Sequence, residues 1–154
     1  MSTRRCTLAI VMLVPLIGFA QGKAPLPDDG AIKETEKLVN ELFQADIEAA
    51  QTSDQKTDLS KKLLTQAFES RGDPTAYLVL LRFARGFAAE GGDVKTALEA
   101  TEGIGTAFET DSLPIWVETL SALSRSARST DDRKAVAEKC LSVVDDAIAQ
   151  DNFE

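Results

Sequence analysis

The chain contains no histidine, and this absence limits the chemistry that it can perform. Histidine is the commonest general base, the commonest transition-metal ligand and the side chain that normally titrates near neutral pH. A serine nucleophile would need a lysine as its base instead, and we expect Lys61 and Lys62 to lie on the exposed side of a helix. We therefore predict that the protein is not an enzyme, with no catalytic residues, no metal ligands and no cofactor.

Cysteine is also scarce, since the chain contains Cys6 and Cys140 alone. Cys6 precedes an apolar run that we expect to be removed, which would leave Cys140 without an intramolecular disulfide partner. Cys140 lies at helical spacing among apolar residues, which are Val136, Val143, Val144 and Ala147. We predict that it is a small buried apolar side chain; a reactive thiol or an intermolecular bridge is the alternative.

The N-terminal residues are typical of an export signal. Arg4 and Arg5 precede an apolar run, Leu8–Ala20, which is shorter than the roughly 20 residues that span a bilayer. The run ends in the order small, aromatic, small, and small residues at those two positions suit a signal peptidase. We expect residues 1–20 to be a signal peptide cleaved after Ala20, giving a periplasmic or extracellular protein; an uncleaved membrane anchor is the alternative.

The predicted mature protein is acidic. The whole chain has a formal net charge of −8, and loss of Arg4 and Arg5 makes it more negative. Such a charge argues against nucleic acid and against an anionic membrane surface as partners. The charge does not argue against a protein or peptide partner, or against self-association into an oligomer.

Beyond a linker predicted at residues 21–30, the pattern is helical throughout, and nothing alternates with the period of a strand. The first helix is predicted over residues 31–50, and its apolar positions are Leu38, Val39, Leu42, Phe43 and Ile47. The second begins at a capping box of Thr52 and Gln55. We predict one all-α domain over residues 31–151, with about six antiparallel helices in three stacked αα-hairpins, as a solenoid or an irregular bundle.

Aspartates mark the starts of the later helices, because an aspartate side chain caps the free N–H groups of a first turn. They are Asp73, Asp93, Asp111 and Asp131, with separations of 20, 18 and 20 residues. Each interval fits one helix and a short loop. The resulting hairpins would repeat every 38 to 40 residues or so, roughly the length of known helical repeats.

The third predicted helix, in "PTAYLVLLRFARGFAAEGG", is apolar nearly all round, with a thin polar stripe through Thr75, Arg82 and Arg85. Such a helix must be covered on several sides. We expect it to be central, packed by the first, second and fourth helices. Gly91 and Gly92 then end it, since glycine readily adopts the left-handed conformation of a helix end.

Other residues allow two interpretations each. Gly103 and Gly105 interrupt the fourth helix; we predict close approach of the fifth helix, and the alternative is a bend that exposes a groove. Trp116 lies at helical spacing with Leu113, Leu120 and Leu123, so we predict a core residue. The alternative is a sugar-stacking or partner-binding residue.

The tripeptide Arg71-Gly72-Asp73 has the sequence that integrin-type receptors bind on adhesion proteins. Receptor binding needs a free aspartate carboxylate, but Pro74 follows, and proline is favoured at the first position of a helix. We interpret the tripeptide as a join, in which Gly72 ends one helix and Asp73 caps the next.

The stretch "EKLVNELFQADIEAAQTSDQKTDLSKKLLTQAFESRGDPTAYLVLLRFARGFAAEGGDVKTALEATEGIGTAFETD", Glu36 to Asp111, resembles an uncharacterised helical module that recurs in exported planctomycete-type bacterial proteins. The resemblance rests on the "KLL" helix, the "DP" turn, the "LLR-A" helix and the "GGD...AL" turn. It implies no known activity. The hairpins are also distantly similar to tetratricopeptide repeats, whose Trp, Leu-Gly and Tyr signature is absent.

Three functions follow as hypotheses. The first is a non-catalytic helical interaction module of the cell envelope, which binds a protein or peptide on stacked hairpins. The second is a structural or oligomerising domain. The third is a hydrolase that uses carboxylates alone, although pairs such as Asp145 with Asp146 or Glu34 with Glu36 point apart on a helix.

Overall fold

The structure, a computed structural model, describes residues 22–151, so the predicted signal peptide at residues 1–20 lies outside the described residues. That part of the chain is all-α, with no strand, as the sequence predicts. Its helices are α1 (Asp29–Leu42), α2 (Gln44–Ala49), α3 (Ser53–Glu69), α4 (Pro74–Gly91), α5 (Val94–Ala107), α6 (Ser112–Ser126) and α7 (Thr130–Asp151).

The expected count of six helices is wrong by one, because the first predicted helix divides at Phe43. Phe43 leaves the helical conformation (φ −102°, ψ 12°) and lies at both the C-terminal boundary of α1 and the N-terminal boundary of α2. Its N–H group still donates to the carbonyl of Val39 at 2.9 Å, so the break is a single residue, and its side chain is buried. Neither glycine nor proline occurs at the break to signal it.

The capping predictions hold at most helix starts. The side chain of Asp73 accepts from the N–H groups of Thr75 at 3.0 Å and Ala76 at 3.1 Å. Asp93 and Asp111 likewise cap α5 and α6 through their carboxylates. The capping box at the start of α3 is also present.

The prediction that Asp131 caps the last helix is wrong. Asp131 lies in the first turn of α7, and Ser129 takes the capping role. The hydroxyl of Ser129 accepts from the N–H group of Asp132 at 2.9 Å, and the Asp132 carboxylate accepts from the N–H group of Ser129 at 3.3 Å. This reciprocal arrangement is a capping box with aspartate as its acid.

Helix α4 is central, as predicted, and contacts α1, α3, α5 and α6. Its polar stripe is tied to two of these neighbours. The Arg82 guanidinium lies 3.8 Å from the Glu36 carboxylate of α1, and that of Arg85 lies 3.0 Å from the Glu118 carboxylate of α6. Because α4 contacts four helices, the predicted stack of three separate hairpins stays a prediction.

Glycines allow the chain to turn and pack at the end of α4. Gly92 adopts a left-handed conformation (φ 78°), as its prediction as a helix stop requires. A Cβ atom at Gly91 would lie 2.9 Å from the carbonyl oxygen of Ser53, so this glycine lets α3 and α4 approach closely. Helix α5 runs unbroken through Gly103 and Gly105. The close neighbour of Gly103 is Leu81 of α4, so the predicted approach of the next helix is wrong there. A Cβ atom at Gly105 would lie 3.4 Å from Ser112 at the start of α6, which is the neighbour that was predicted.

Two clusters of buried side chains form the interior. The first, which we call the first core, joins α1, α3, α4 and the second half of α5. The second core joins the end of α4 and the start of α5 to α6 and α7. Phe108, at the end of α5, belongs to the first core and is fully buried.

The segment predicted as a linker contacts the end of α5. The N–H group of Ala24 donates to the carbonyl of Ala107 at 2.8 Å, and that of Glu109 donates to the carbonyl of Ala24 at 2.8 Å. These bonds form one parallel bridge between Ala24 and Phe108. Ala24 therefore packs against the first core before α1 begins at Asp29.

Candidate protein-interaction surface

A row of apolar side chains on α7 faces solvent. Ala137, Leu141, Val144 and Ile148 are spaced by four, three and four residues, and we call them the outer stripe. Leu141 is 68% exposed, Val144 53% and Ile148 55%. The spacing is that of one side of a heptad repeat, so the four side chains lie in line along the helix.

A second apolar row on α7 packs against α6. Val136, Cys140, Val143 and Ala147 have the same spacing as the outer stripe, one residue earlier in the chain. Val136 and Val143 are buried in the second core, with Cys140 packed against it. Helix α7 contacts only α6 and α5 among the described elements, so one row is covered and the other is not.

Two sequence predictions on α7 are corrected by this arrangement. Val144 was expected on the buried face with Cys140, but it lies on the outer stripe. Cys140 is partly rather than fully buried. Because α7 carries apolar residues on two adjacent rows, helical periodicity alone cannot say which row is covered.

A cleft lies between the outer stripe and α6. It has a volume of about 460 Å³ and an almost wholly apolar lining. Ser124 of α6 and Ala127, which directly follows α6, form one wall, and the other is formed by Arg133, Val136, Ala137, Cys140 and Leu141. The cleft therefore joins the first half of the outer stripe to α6.

Helix α6 adds exposed apolar side chains of its own. Leu113 is exposed, although it was expected in the core, and Val117 is exposed one turn later. They follow the same side of α6 as Ser124, because residues spaced by three or four share a helix face. The α6 rim of the surface, as we call it, consists of Leu113, Val117 and Ser124.

Trp116 is buried, as predicted, and belongs to the second core. Trp116 also lines a separate cleft of about 280 Å³, with Leu113 and Val143, at the other end of the α6–α7 pair. The ammonium group of Lys139 lies 4.2 Å from the centre of the ring. This cation–π contact fixes α7 against α6.

Acidic residues border the outer stripe on the side away from α6. Asp131, Glu138 and Asp145 are exposed and follow one another at intervals of seven residues. Seven residues are close to two helical turns, so the three carboxylates lie in line. We call them the acidic edge. Lys134 lies beside it and pairs with Glu138 at 3.7 Å.

The lysines considered as catalytic bases are both paired with carboxylates. Lys61 lies 3.8 Å from Asp93, and Lys62 lies 2.6 Å from Asp46. Both are exposed, as the sequence predicts. Neither lysine is placed beside a nucleophile by these contacts.

A polar cleft of about 580 Å³ follows the bend between α1 and α2. Three glutamates line it, and each has a different partner. Glu36 lies 3.8 Å from Arg82 and Glu41 3.8 Å from Lys37, and Glu48 accepts from the Gln44 amide at 2.9 Å. The carboxylates are thus engaged separately and do not form a catalytic pair.

Leu38 and Leu42 of α1 were expected in the core, but they are 57% and 76% exposed. Val39 and Phe43, each one residue further along the chain, are buried instead. The pair forms a smaller apolar patch than the outer stripe. No cleft described above includes either residue.

The adhesion-type tripeptide is engaged within the protein. Asp73 caps α4, as shown above, and the Arg71 guanidinium lies 4.7 Å from the centre of the Phe68 ring. Gly72 follows the end of α3 rather than forming it, because α3 ends at Glu69. The tripeptide therefore lies at a join between helices and Asp73 caps α4, as predicted, but the prediction that Gly72 ends the preceding helix is wrong.

Within residues 22–151, no three or more His, Cys, Asp or Glu side chains are grouped as a metal site would require. The same part of the chain has no helix with the length and apolarity to cross a membrane. Comparisons with protein-family models, curated proteins and solved structures gave no match to this chain.

Proposed function

We propose that this protein is a non-catalytic helical interaction module, and that its binding surface is the outer stripe of α7 with the α6 rim. The observation that carries the proposal is the solvent exposure of three large apolar side chains in heptad register, Leu141, Val144 and Ile148. Apolar patches of this kind commonly mark interaction sites on soluble proteins. The cleft beside Leu141 gives the surface the concave shape that suits a binding site.

The proposal includes an exported location, in the bacterial envelope, and kinship with the planctomycete-type helical module. These parts rest on the N-terminal sequence pattern and on the quoted resemblance. An oligomerising domain is the second candidate, because a heptad row also suits pairing of helices. A carboxylate-only hydrolase has less support, since the glutamates of the polar cleft are paired one by one.

Site-specific photo-crosslinking tests the proposed surface. A benzophenone amino acid replaces Val144 in one variant and Thr65, an exposed residue of α3, in the control. In cells that export the protein, we expect crosslinks to a defined protein or peptide from position 144 and none from position 65. Equal crosslinking from both positions, or none from either, would count against the surface. A product of twice the chain mass would favour the oligomerising candidate.

A further inference from the structure

We propose that the partner on the outer stripe is an amphipathic α-helix with basic residues along one edge. This inference rests on the proposed function and specifies its ligand. It is argued from the spacing of the outer stripe, from the acidic edge and from the position of α6.

The occupant is a helix because the stripe repeats at intervals of four, three and four residues. A row with this spacing accepts the side chains of a second helix between its own. From Ala137 to Ile148 the row is about 16 Å long at a rise of 1.5 Å per residue, which is about three turns of the partner helix.

The two sides of the stripe differ, and the difference orients the partner. On one side lies the apolar cleft, whose wall includes Ser124 of the α6 rim. On the other lie Asp131, Glu138 and Asp145. A partner helix seated on the stripe therefore turns an apolar or small-residue edge to α6 and the opposite edge to three carboxylates, where lysine or arginine gains the most.

A second copy of the chain fits this surface poorly. In an antiparallel pair of α7 helices centred on the stripe, Glu138 of one copy would lie near Asp145 of the other, twice over. Like charges in such positions destabilise a helix pair. In a parallel pair, the acidic edge would face the flank of Arg133, Cys140 and Ala147, and α6 already lies beside that flank.

Lys134 does not cancel the acidic edge. It lies 3.7 Å from Glu138, four residues along an exposed helix surface. Exposed pairs of this type are weak and easily exchanged. A cation of the partner can replace Lys134 beside Glu138, and Asp131 and Asp145 add to its attraction.

Two matched synthetic peptides test the inference against the full chain. Each has three heptads, about 21 residues, with leucine at both apolar positions of every heptad. One carries lysine and the other glutamate at the positions that flank the leucines. Binding is measured by fluorescence anisotropy of the labelled peptide at low ionic strength, where surface charges are least screened. We expect the lysine peptide to bind at least about tenfold more tightly than the glutamate peptide.

Variants of the protein separate the acidic edge from overall charge. The double substitution Glu138→Lys with Asp145→Lys should reverse the preference between the peptides. The control, Glu99→Lys with Glu102→Lys, makes the same change in net charge at exposed positions of α5 and should leave the preference in place. All four positions are exposed, and far-UV circular dichroism verifies that each variant is folded.

The outcomes distinguish this inference from the proposed function. Equal binding of both peptides, lost on Leu141→Asp, would overturn the basic partner and retain the interaction surface. Self-association of the chain that is lost on Leu141→Asp and blocks both peptides would make a second copy the occupant. Binding of neither peptide, with Leu141→Asp having no effect on the crosslinks from position 144, would overturn the proposed function as well.

Discussion

Helix α4 and helix α7 are both rich in apolar residues, but the two helices lie in opposite environments. Around α4, side chains from α1, α3, α5 and α6 cover the apolar surface, and a run from Tyr77 to Leu81 is buried without interruption. Within residues 22–151, α7 contacts only α5 and α6, and one of its two apolar rows is exposed to solvent. The difference shows that the number of neighbouring helices, rather than apolar content, decides which side chains form the core.

The comparison has a functional consequence. The first core is closed, so its apolar residues are explained by folding alone. The outer stripe gains less from folding in the isolated chain, because Leu141, Val144 and Ile148 keep more than half of their surface in water. Substitutions in the two regions should therefore have different effects on stability.

The largest expected effect is on the first core. Leu81 of α4 is fully buried, and Leu81→Ala should lower the free energy of unfolding by about 2 to 5 kcal/mol, since it removes buried methyl groups and leaves a cavity. The matched change on the outer stripe, Leu141→Ala, should alter it by less than about 0.5 kcal/mol. Urea unfolding followed by circular dichroism measures both. Equal losses for the two variants would mean that Leu141 is covered in solution.

The next largest effect on stability is expected at Gly92, in the turn that follows α4 and contacts the end of α6. Gly92→Ala should cost about 1 to 2 kcal/mol for the left-handed conformation alone, and its Cβ atom would lie 2.7 Å from the carbonyl oxygen of Ser126 at the end of α6. Gly86, exposed within α4, has no atom within 4 Å of an added Cβ. Gly86→Ala should therefore stabilise the protein by roughly 0.5 to 1 kcal/mol.

Thermal unfolding of the two glycine variants gives the test. The melting temperature should fall for Gly92→Ala and rise for Gly86→Ala. A rise for both variants would show that the turn after α4 tolerates a side chain, and that α4 and α6 are less closely joined than the structure describes.

The central position of α4 could be predicted because nearly all of its surface is apolar, and such a helix must be covered by neighbouring helices on several sides. The caps at Asp73, Asp93 and Asp111 could be predicted because their hydrogen bonds are local. At α7 the local signal was ambiguous, since Ser129 and Asp131 are both good caps and lie two residues apart. The structure shows that the serine hydroxyl is used.

The candidate surface could not be predicted, for a related reason. On α1 and α7 two adjacent apolar rows have the same spacing, so the sequence identifies an apolar helix without saying which row is covered. Leu38, Leu42 and Val144 were all expected inside and all lie outside. Only the positions of neighbouring helices decide which of the two apolar rows is covered. The regular spacing of Asp131, Glu138 and Asp145 was the one local signal that could have located the exposed side of α7.

Loss of the α4 cap should have an intermediate effect on stability. Asp73→Ala should cost about 1 kcal/mol, because two N–H groups lose their acceptor. Asp131→Ala, at an aspartate that makes no cap, should cost less than about 0.5 kcal/mol. Chemical denaturation of both variants provides the comparison. An unchanged stability on Asp73→Ala would leave its carboxylate free and reopen the adhesion-type interpretation of the tripeptide.

The smallest loss of stability is expected at the acidic edge. Two glutamates are compared: Glu118 of α6 contacts α4, whereas Glu138 of the acidic edge is proposed to face a partner. Glu138→Gln removes an exposed pair within α7 and should cost no more than about 0.5 kcal/mol, a loss that disappears at high salt. Glu118→Gln weakens the contact with Arg85; the Arg85 side chain is 17% exposed and that of Glu118 71%, so its cost should be the larger of the two and less dependent on salt. Stability measured at low and at molar salt separates the two variants. If Glu138→Gln proved the more damaging change, the acidic edge would be part of the fold, and its carboxylates would not be free for a basic helix.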